Sequence, residues 1–203
     1  MSRRVAALIC AIWGLGPAAG WAATSGPVSV SAEVEPMESL DCSMVRFESG
    51  VDQGEVSTMD FGQLDRPTNP DGSPAAQRSL RHFQVFCGMN TSGRAYTVTQ
   101  TGGTLTSGSD TLPDGAWIFT PLNGVGGNPS EPLPSGSTVG TQGTAASTDT
   151  LWYRSDAGGA GTTISSTYGI TNDAANGATE FVPPDQPAGN YSTTVLWTLT
   201  VNP

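Results

Sequence analysis

Polar and apolar residues alternate in a short segment near the N-terminal end of the chain. Across residues 27–37, Val28, Val30, Ala32 and Val34 share one face of an extended chain, and serine and glutamate residues occupy the other. Because successive side chains of a strand point to opposite faces, this pattern predicts a β-strand with a small apolar face. Such a strand can either close its own domain or reach into another one.

A second alternating segment lies close to the end of the chain. Residues 191–201 carry their larger side chains at every second position, which predicts a long, central, half-buried strand. The side chains that share its face are Tyr191, Thr193, Val195, Trp197, Leu199 and Val201.

Several shorter strands are predicted between these two segments. Residues 79–87 and 95–101 flank a turn, and we expect them to form an antiparallel hairpin. Residues 123–149 are so rich in Gly, Ser, Thr and Pro that they predict a long surface excursion. No segment has helical periodicity, and the spacing of about seven strands predicts an all-β, immunoglobulin-like β-sandwich. The other predicted strands are 40–47, 117–119, 151–153 and 164–170.

The first residues have the pattern of an export signal. Arg3 and Arg4 precede an apolar run at residues 5–15, and small residues around Ala22 suit cleavage. The run is too short to span a bilayer, so we expect a secreted protein without membrane insertion. The predicted organisation is a signal peptide at 1–22, an N-terminal extension at 23–39 and one domain at 40–203.

The charge of the chain excludes some partners. Its 18 acidic residues outnumber its 8 basic ones, and the formal net charge is −10. A surface this negative repels nucleic acid and anionic lipid, so neither is expected as a partner.

The chain has few residues suited to catalysis or metal binding, and their pattern predicts neither function. Removal of the signal leaves Cys42 and Cys87, and an even number of cysteines in an oxidising compartment predicts one disulfide. His82 is the one histidine, and strand parity puts it opposite Phe83 and Val85, next to solvent. We therefore expect no catalytic residue, no metal and no cofactor.

Three tryptophans allow two interpretations. Trp117, Trp152 and Trp197 would stack on sugars if they were exposed, as in a carbohydrate-binding module. Buried aromatic residues of a core are the commoner arrangement, because each ring removes a large area from water.

Short motifs along the chain resemble one family of secreted subunits. They are the leading strand, Phe61-Gly62, the FQVFC sequence that ends at Cys87, AYTV at Tyr96, and the final PAGNYSTTVLWTLTV. Together they resemble the spore coat protein U type of fimbrial subunit, a branch of the pilins assembled by a periplasmic chaperone and an outer-membrane usher. The resemblance covers residues 28–201 and is strongest at the two ends.

The resemblance implies an incomplete immunoglobulin-like sandwich whose apolar groove is filled by a strand from the next subunit. Cys42 and Cys87 would then tie the first strand to the second. The protein would be a homopolymer in a surface fimbria that serves adhesion or biofilm formation, reached through the periplasm, with a host or surface glycan as its receptor. The implied donor residues are Val28, Val30, Ala32 and Val34, and the implied groove-bordering residues are Tyr191, Val195, Trp197, Leu199 and Val201.

A second resemblance supports a different function. Trp197-Thr198-Leu199, near the end of the chain, is similar to the terminal motif of the WxL domain, which attaches surface proteins to the cell wall. Those domains share a Phe-Gly motif but do not use a cysteine pair. The cysteines and the leading strand favour the pilin over this alternative.

Overall fold

The computed structural model describes residues 38–202. The signal peptide predicted at 1–22 and the leading strand predicted at 27–37 lie outside these residues, and so do the four donor residues Val28, Val30, Ala32 and Val34.

The described residues form β-strands joined by turns and two short 3₁₀ helices, at Asp114–Ala116 and Ala174–Asn176. The frequent glycines and prolines favour the turns between the strands, as the composition predicts. The strands are β1 (Ser39–Glu48), β2 (Val51–Glu55), β3 (Arg81–Asn90), β4 (Tyr96–Gly102), β5 (Thr106–Ser107), β6 (Asp110–Thr111), β7 (Trp117–Leu122), β8 (Thr138–Val139), β9 (Gly143–Thr144), β10 (Thr150–Arg154), β11 (Thr163–Ile170) and β12 (Val195–Val201).

Two antiparallel sheets carry most of the structure. The larger has six strands in the order β2-β1-β3-β11-β7-β9, and the smaller has four in the order β12-β4-β10-β8. Buried side chains from both sheets belong to one core cluster. The described chain is therefore all-β with antiparallel sheets, consistent with the predicted β-sandwich.

Strand alternation builds this core. On β3, Phe83, Val85 and Cys87 are fully buried, while the residues between them are half-buried. The ring of Phe119 on β7 lies 6.0 Å from that of Trp152 on β10, which belongs to the other sheet. Edge-to-face pairs of this kind contribute about 0.5–1.5 kcal/mol beyond their buried area. The predicted buried strands around Trp117 and Trp152 are confirmed.

The predicted hairpin between the strands near Cys87 and Tyr96 is wrong. β3 belongs to the six-stranded sheet and β4 to the four-stranded sheet, so the turn between them crosses from one sheet to the other. Both strands have an apolar inner face, with Phe83 on β3 and Val98 on β4 fully buried. Crossing lets the two apolar faces pack against each other, whereas a hairpin would lay them side by side.

The predicted disulfide is confirmed. Cys42 and Cys87 are bonded, and they face each other directly in the register of β1 and β3. The bond therefore joins neighbouring strands of one sheet.

The final strand differs from its prediction in length and position. It begins at Val195 rather than Tyr191, because residues 191–194 make only an isolated bridge between Ser192 and Thr106. It pairs with β4 alone, at the edge of the four-stranded sheet rather than in its centre. Its predicted half-burial is confirmed, since half-buried and exposed residues alternate along it.

The excursion at residues 123–149 has little regular structure, as predicted. It contains the two-residue strands β8 and β9, which pair with β10 and β7. The segment after β1 forms the exposed strand β2.

Candidate functional site

Two strand edges remain open on the same side of the core. β12 pairs with β4 on one side, and within residues 38–202 no strand pairs with its other side. β1 pairs with β2 only through Val45, Phe47 and Glu48, which leaves the first half of its outer edge without a strand partner in the described chain.

The main-chain groups of β12 show which residues face the open edge. The carbonyl of Thr194 accepts a hydrogen bond from Gly103, and the N–H of Asn202 donates to the carbonyl of Ala95, so these even-numbered residues face β4. Alternate residues of an antiparallel strand point their N–H and C=O groups to opposite sides. The groups of the odd-numbered residues, from Val195 to Val201, therefore point away from β4.

β1 presents its outer edge in the same way. The carbonyl of Met44 accepts a hydrogen bond from the N–H of Val56 at 2.9 Å, on the side away from β3. By the same alternation, the N–H and C=O groups of Leu40 and Cys42 point to that side. A strand placed between β1 and β12 would find hydrogen-bonding groups on both of its sides.

A depression of about 790 Å³ lies between the chain around β1 and the chain around β12. We call it the edge groove. One wall contains Met44, together with the segment 57–64 that follows β2, and the other contains the segment 186–195 and Trp197. The apolar side chains along its walls are Met44, Met59, Phe61, Leu64, Tyr191, Val195 and Trp197.

The floor of the edge groove is the core of the sandwich. Leu105, Leu112, Trp117 and Ile170 line it from below and are at most 7% exposed. An apolar side chain that enters the groove would therefore contact the core directly.

Trp197 is fixed in the wall by neighbouring aromatic residues. Its indole N–H donates a hydrogen bond to the hydroxyl of Tyr168 at 2.8 Å, and its ring centroid lies 6.3 Å from that of Trp152. Burial raises the pKa of the Tyr168 hydroxyl, which keeps it protonated. This hydrogen bond sets the direction of the indole N–H within the wall.

Three of the predicted groove-bordering residues, Tyr191, Val195 and Trp197, line the edge groove. Leu199 and Val201 continue the same half-buried face of β12 beyond it and pack against the core.

Sequence reasoning missed the opposite wall, because Met59, Phe61 and Leu64 belong to no regular strand. The apolar Phe61-Gly62 pair was the available signal. In the structure the Phe61 ring meets Phe83 edge to face at 5.0 Å, so Phe61 belongs to the core and the groove together.

Contacts of Arg94 link the start of β1 to the end of β12. The Arg94 guanidinium lies 2.5 Å from a carboxylate oxygen of Glu38, directly before β1. Its other terminal nitrogen donates to the main-chain carbonyl of Asn202, directly after β12, at 3.2 Å. The residue directly before β1 and the residue directly after β12 therefore contact the same arginine.

The other residues considered for chemistry have structural roles. His82 stacks on Phe47 with ring centroids 5.0 Å apart, and burial lowers its pKa below the ordinary value. Trp117 and Trp152 are 3% and 1% exposed, so neither offers a face to a sugar. Within residues 38–202, no group of three or more His, Cys, Asp or Glu is placed to hold a metal ion.

The helices of the described chain are too short to cross a membrane. Comparison with family models, with curated proteins and with solved structures found no match to this chain.

Proposed function

We propose that this protein is a structural subunit of a fibre in which each subunit inserts its leading strand, residues 27–37, into the edge groove of the next. The observation that carries the proposal is an apolar groove over the core, bordered by strand edges whose main-chain groups have no strand partner within residues 38–202. Such edges are templates for pairing with another chain. Strand addition draws affinity from main-chain hydrogen bonds and specificity from alternate side chains.

The leading strand suits the groove in pattern and in length. Val28, Val30, Ala32 and Val34 would face the core, and Ser29, Ser31 and Glu33 between them would face solvent. At about 3.3 Å per residue, its eleven residues span about 36 Å, while the seven residues of β12 span about 23 Å. The segment is long enough to follow the whole edge of β12.

An immunoglobulin-like fold of the pilin type, lacking its last strand, accounts for the open position beside β12. The disulfide supports export, because such bonds persist in oxidising compartments. An exported subunit with an unfilled groove needs protection from wrong pairing, a task that a periplasmic chaperone and an outer-membrane usher would perform. The assembled fibre would lie on the cell surface and serve adhesion or biofilm formation.

The test disables the strand without removing it. In the mature chain, Val30→Asp and Val34→Asp place charges on the face that enters the groove, and burying an unpaired charge is strongly unfavourable. We expect the unsubstituted protein to form polymers, and the doubly substituted protein to remain monomeric. A synthetic peptide of residues 24–37 should bind this monomer and raise its melting temperature, through linkage of binding to folding.

A matched control places the same charges on the outer face of the strand. Ser29→Asp and Ser31→Asp should leave polymerisation intact, because these side chains face solvent in the proposed pairing. If the inward and the outward pair of substitutions affect assembly equally, and the peptide does not change the melting temperature, the proposal is wrong.

A further inference from the structure

Arg66 carries the unpaired charge of the edge groove. Within residues 38–202, the charged residues that line the groove are Asp60 and Arg66. Asp60 is paired with the Arg81 guanidinium, with 3.0 Å between the nitrogen and oxygen atoms. Arg66 is exposed, and none of the ion pairs of the described chain involves it. This arginine is therefore free to bind a carboxylate that enters the groove.

Arg66 lies at one end of the open edges. Its neighbour Asp65 pairs with Arg78, which comes three residues before the residue of β3 that lies opposite Glu48. Arg66 is therefore located at the end of β1 that Glu48 occupies. The first residue of β1, Ser39, is nine residues from Glu48, or about 30 Å at 3.3 Å per residue.

The opposite end of the open edges offers no free positive charge among the described residues. Glu38 directly precedes β1, and the Arg94 guanidinium binds its carboxylate together with the main-chain carbonyl of Asn202. Asp41, in the first half of β1, is exposed and makes no ion pair within residues 38–202. A further carboxylate at this end is repelled by Asp41 and finds Arg94 already paired.

The leading strand is electrostatically asymmetric in a matching way. Glu33 and Glu35 belong to its carboxyl half, whereas residues 27–32 contain no charged residue. Both glutamates lie on the face opposite to the valines, which points to solvent in the proposed pairing. The strand thus carries its negative charge at one end, where an arginine at the rim of the groove can bind it.

We infer that Arg66 selects the strand of another copy of this chain by pairing with Glu33 or Glu35. The inference rests on the proposed function, since it requires an inserted strand. Val195, the first residue of β12, lines the groove together with Arg66, and β12 ends beside Arg94. With its carboxyl end at Arg66, the inserted strand runs in the opposite direction to β12.

The chain's own leading strand cannot make this ion pair. Glu33 comes five residues before Glu38, so even a fully extended chain keeps the two within about 18 Å. Glu38 is fixed at the start of β1, about 30 Å from the end at which Arg66 lies. A strand that folds back into its own groove leaves Arg66 unpaired, so the ion pair favours the joining of two copies over the closure of one.

A double-mutant cycle tests the pairing. The receiver is the doubly substituted mature chain that remains monomeric, and the ligand is the peptide of residues 24–37. Arg66→Gln in the receiver should weaken peptide binding about two- to fivefold, the range expected for one exposed ion pair. A peptide with Glu33→Gln and Glu35→Gln should show the same loss on the original receiver and no further loss on the Arg66→Gln receiver.

Arg154→Gln is the matched control. It removes the same charge from an exposed position on β10 that does not line the groove, so peptide affinity should stay unchanged. High salt should abolish the effect of Arg66→Gln, because it screens exposed charges. In the mature chain with its leading strand intact, Arg66→Gln should raise the ratio of monomer to polymer about two- to fivefold, as measured by size-exclusion chromatography with light scattering.

The direction of the bound peptide is a second, independent readout. A nitroxide label on the carboxyl end of the peptide should broaden the amide resonance of Leu64, next to the Arg66 end, and leave that of Val201 sharp. A label on the amino end should have the opposite effect.

The outcomes separate the two proposals. If the peptide binds, but Arg66 shows no coupling to the glutamates or the carboxyl-end label broadens Val201, this inference is overturned and the proposed function stands. If no peptide binds at all, the proposed function fails and this inference fails with it.

Discussion

Replacing Cys42 and Cys87 together with alanine should lower the free energy of unfolding by about 4 kcal/mol. The disulfide closes a loop with a sequence separation of 45 residues, and it joins residues directly opposite each other on β1 and β3. In the chain-entropy description, a cross-link across a loop of about 45 residues removes about 13 cal/mol/K from the unfolded ensemble, or about 4 kcal/mol at 25 °C. For a domain of this size, the melting temperature should fall by about 8–16 °C.

Denaturant unfolding of three samples measures this effect. They are the oxidised protein, the reduced protein and the doubly substituted variant. The reduced protein retains both side chains and lacks only the bond, so its difference from the oxidised protein isolates loop closure. The variant should be less stable than the reduced protein by a smaller amount, because Cys87 is fully buried and alanine leaves a small cavity there.

The slope of unfolding free energy against denaturant provides a further check. A cross-link restricts the unfolded chain, so its loss should increase the surface exposed on unfolding and steepen the slope. If the oxidised and reduced proteins unfold at the same denaturant concentration, the loop-closure reasoning is refuted. The bond would then serve only to fix the register of β1, one wall of the edge groove, and its loss would weaken strand binding without changing stability.

Two further predictions concern packing and pH. Gly102→Ala should destabilise the domain by about 1–3 kcal/mol, because the new Cβ would lie 2.3 Å from the carbonyl oxygen of Ala145. The matched control is Gly88→Ala, because nothing lies within 4 Å of a Cβ placed there. Its effect on the free energy of unfolding should stay within about 0.5 kcal/mol. Thermal unfolding of both variants measures the difference, and equal destabilisation by the two substitutions would contradict the packing argument. The lowered pKa of His82 means that the unfolded chain takes up a proton first, so stability should fall as pH drops below the ordinary value of 6.5. His82→Gln should flatten that part of the stability profile, and an unchanged profile would show that burial against Phe47 does not govern it.

Local pattern was sufficient to locate the longer strands and their apolar faces. Along β3 and β12, side chains alternate between the core and solvent with a period of two, so a strand can be located from its own residues. The cysteine pair could also be predicted, because removal of the predicted signal leaves two cysteines and therefore one partner for each.

The assignment of strands to sheets could not be predicted in this way. β3 and β4 are neighbours in sequence and both alternate, yet they belong to different sheets. A two-residue periodicity indicates which side of a strand is apolar, but it does not indicate which strand lies beside it. The hairpin prediction failed for this reason, and so did the central position given to β12.

The edge groove itself depends on tertiary structure. The sequence determined that an apolar face on β12 exists and that the leading segment has a matching pattern. Only the fold decided that β12 lies at an edge, that Phe61 and Leu64 from an irregular segment form the opposite wall, and that Trp117 lies on the floor. These features arise where residues far apart in sequence meet, and contacts of that kind leave no periodic signal in the residues that make them.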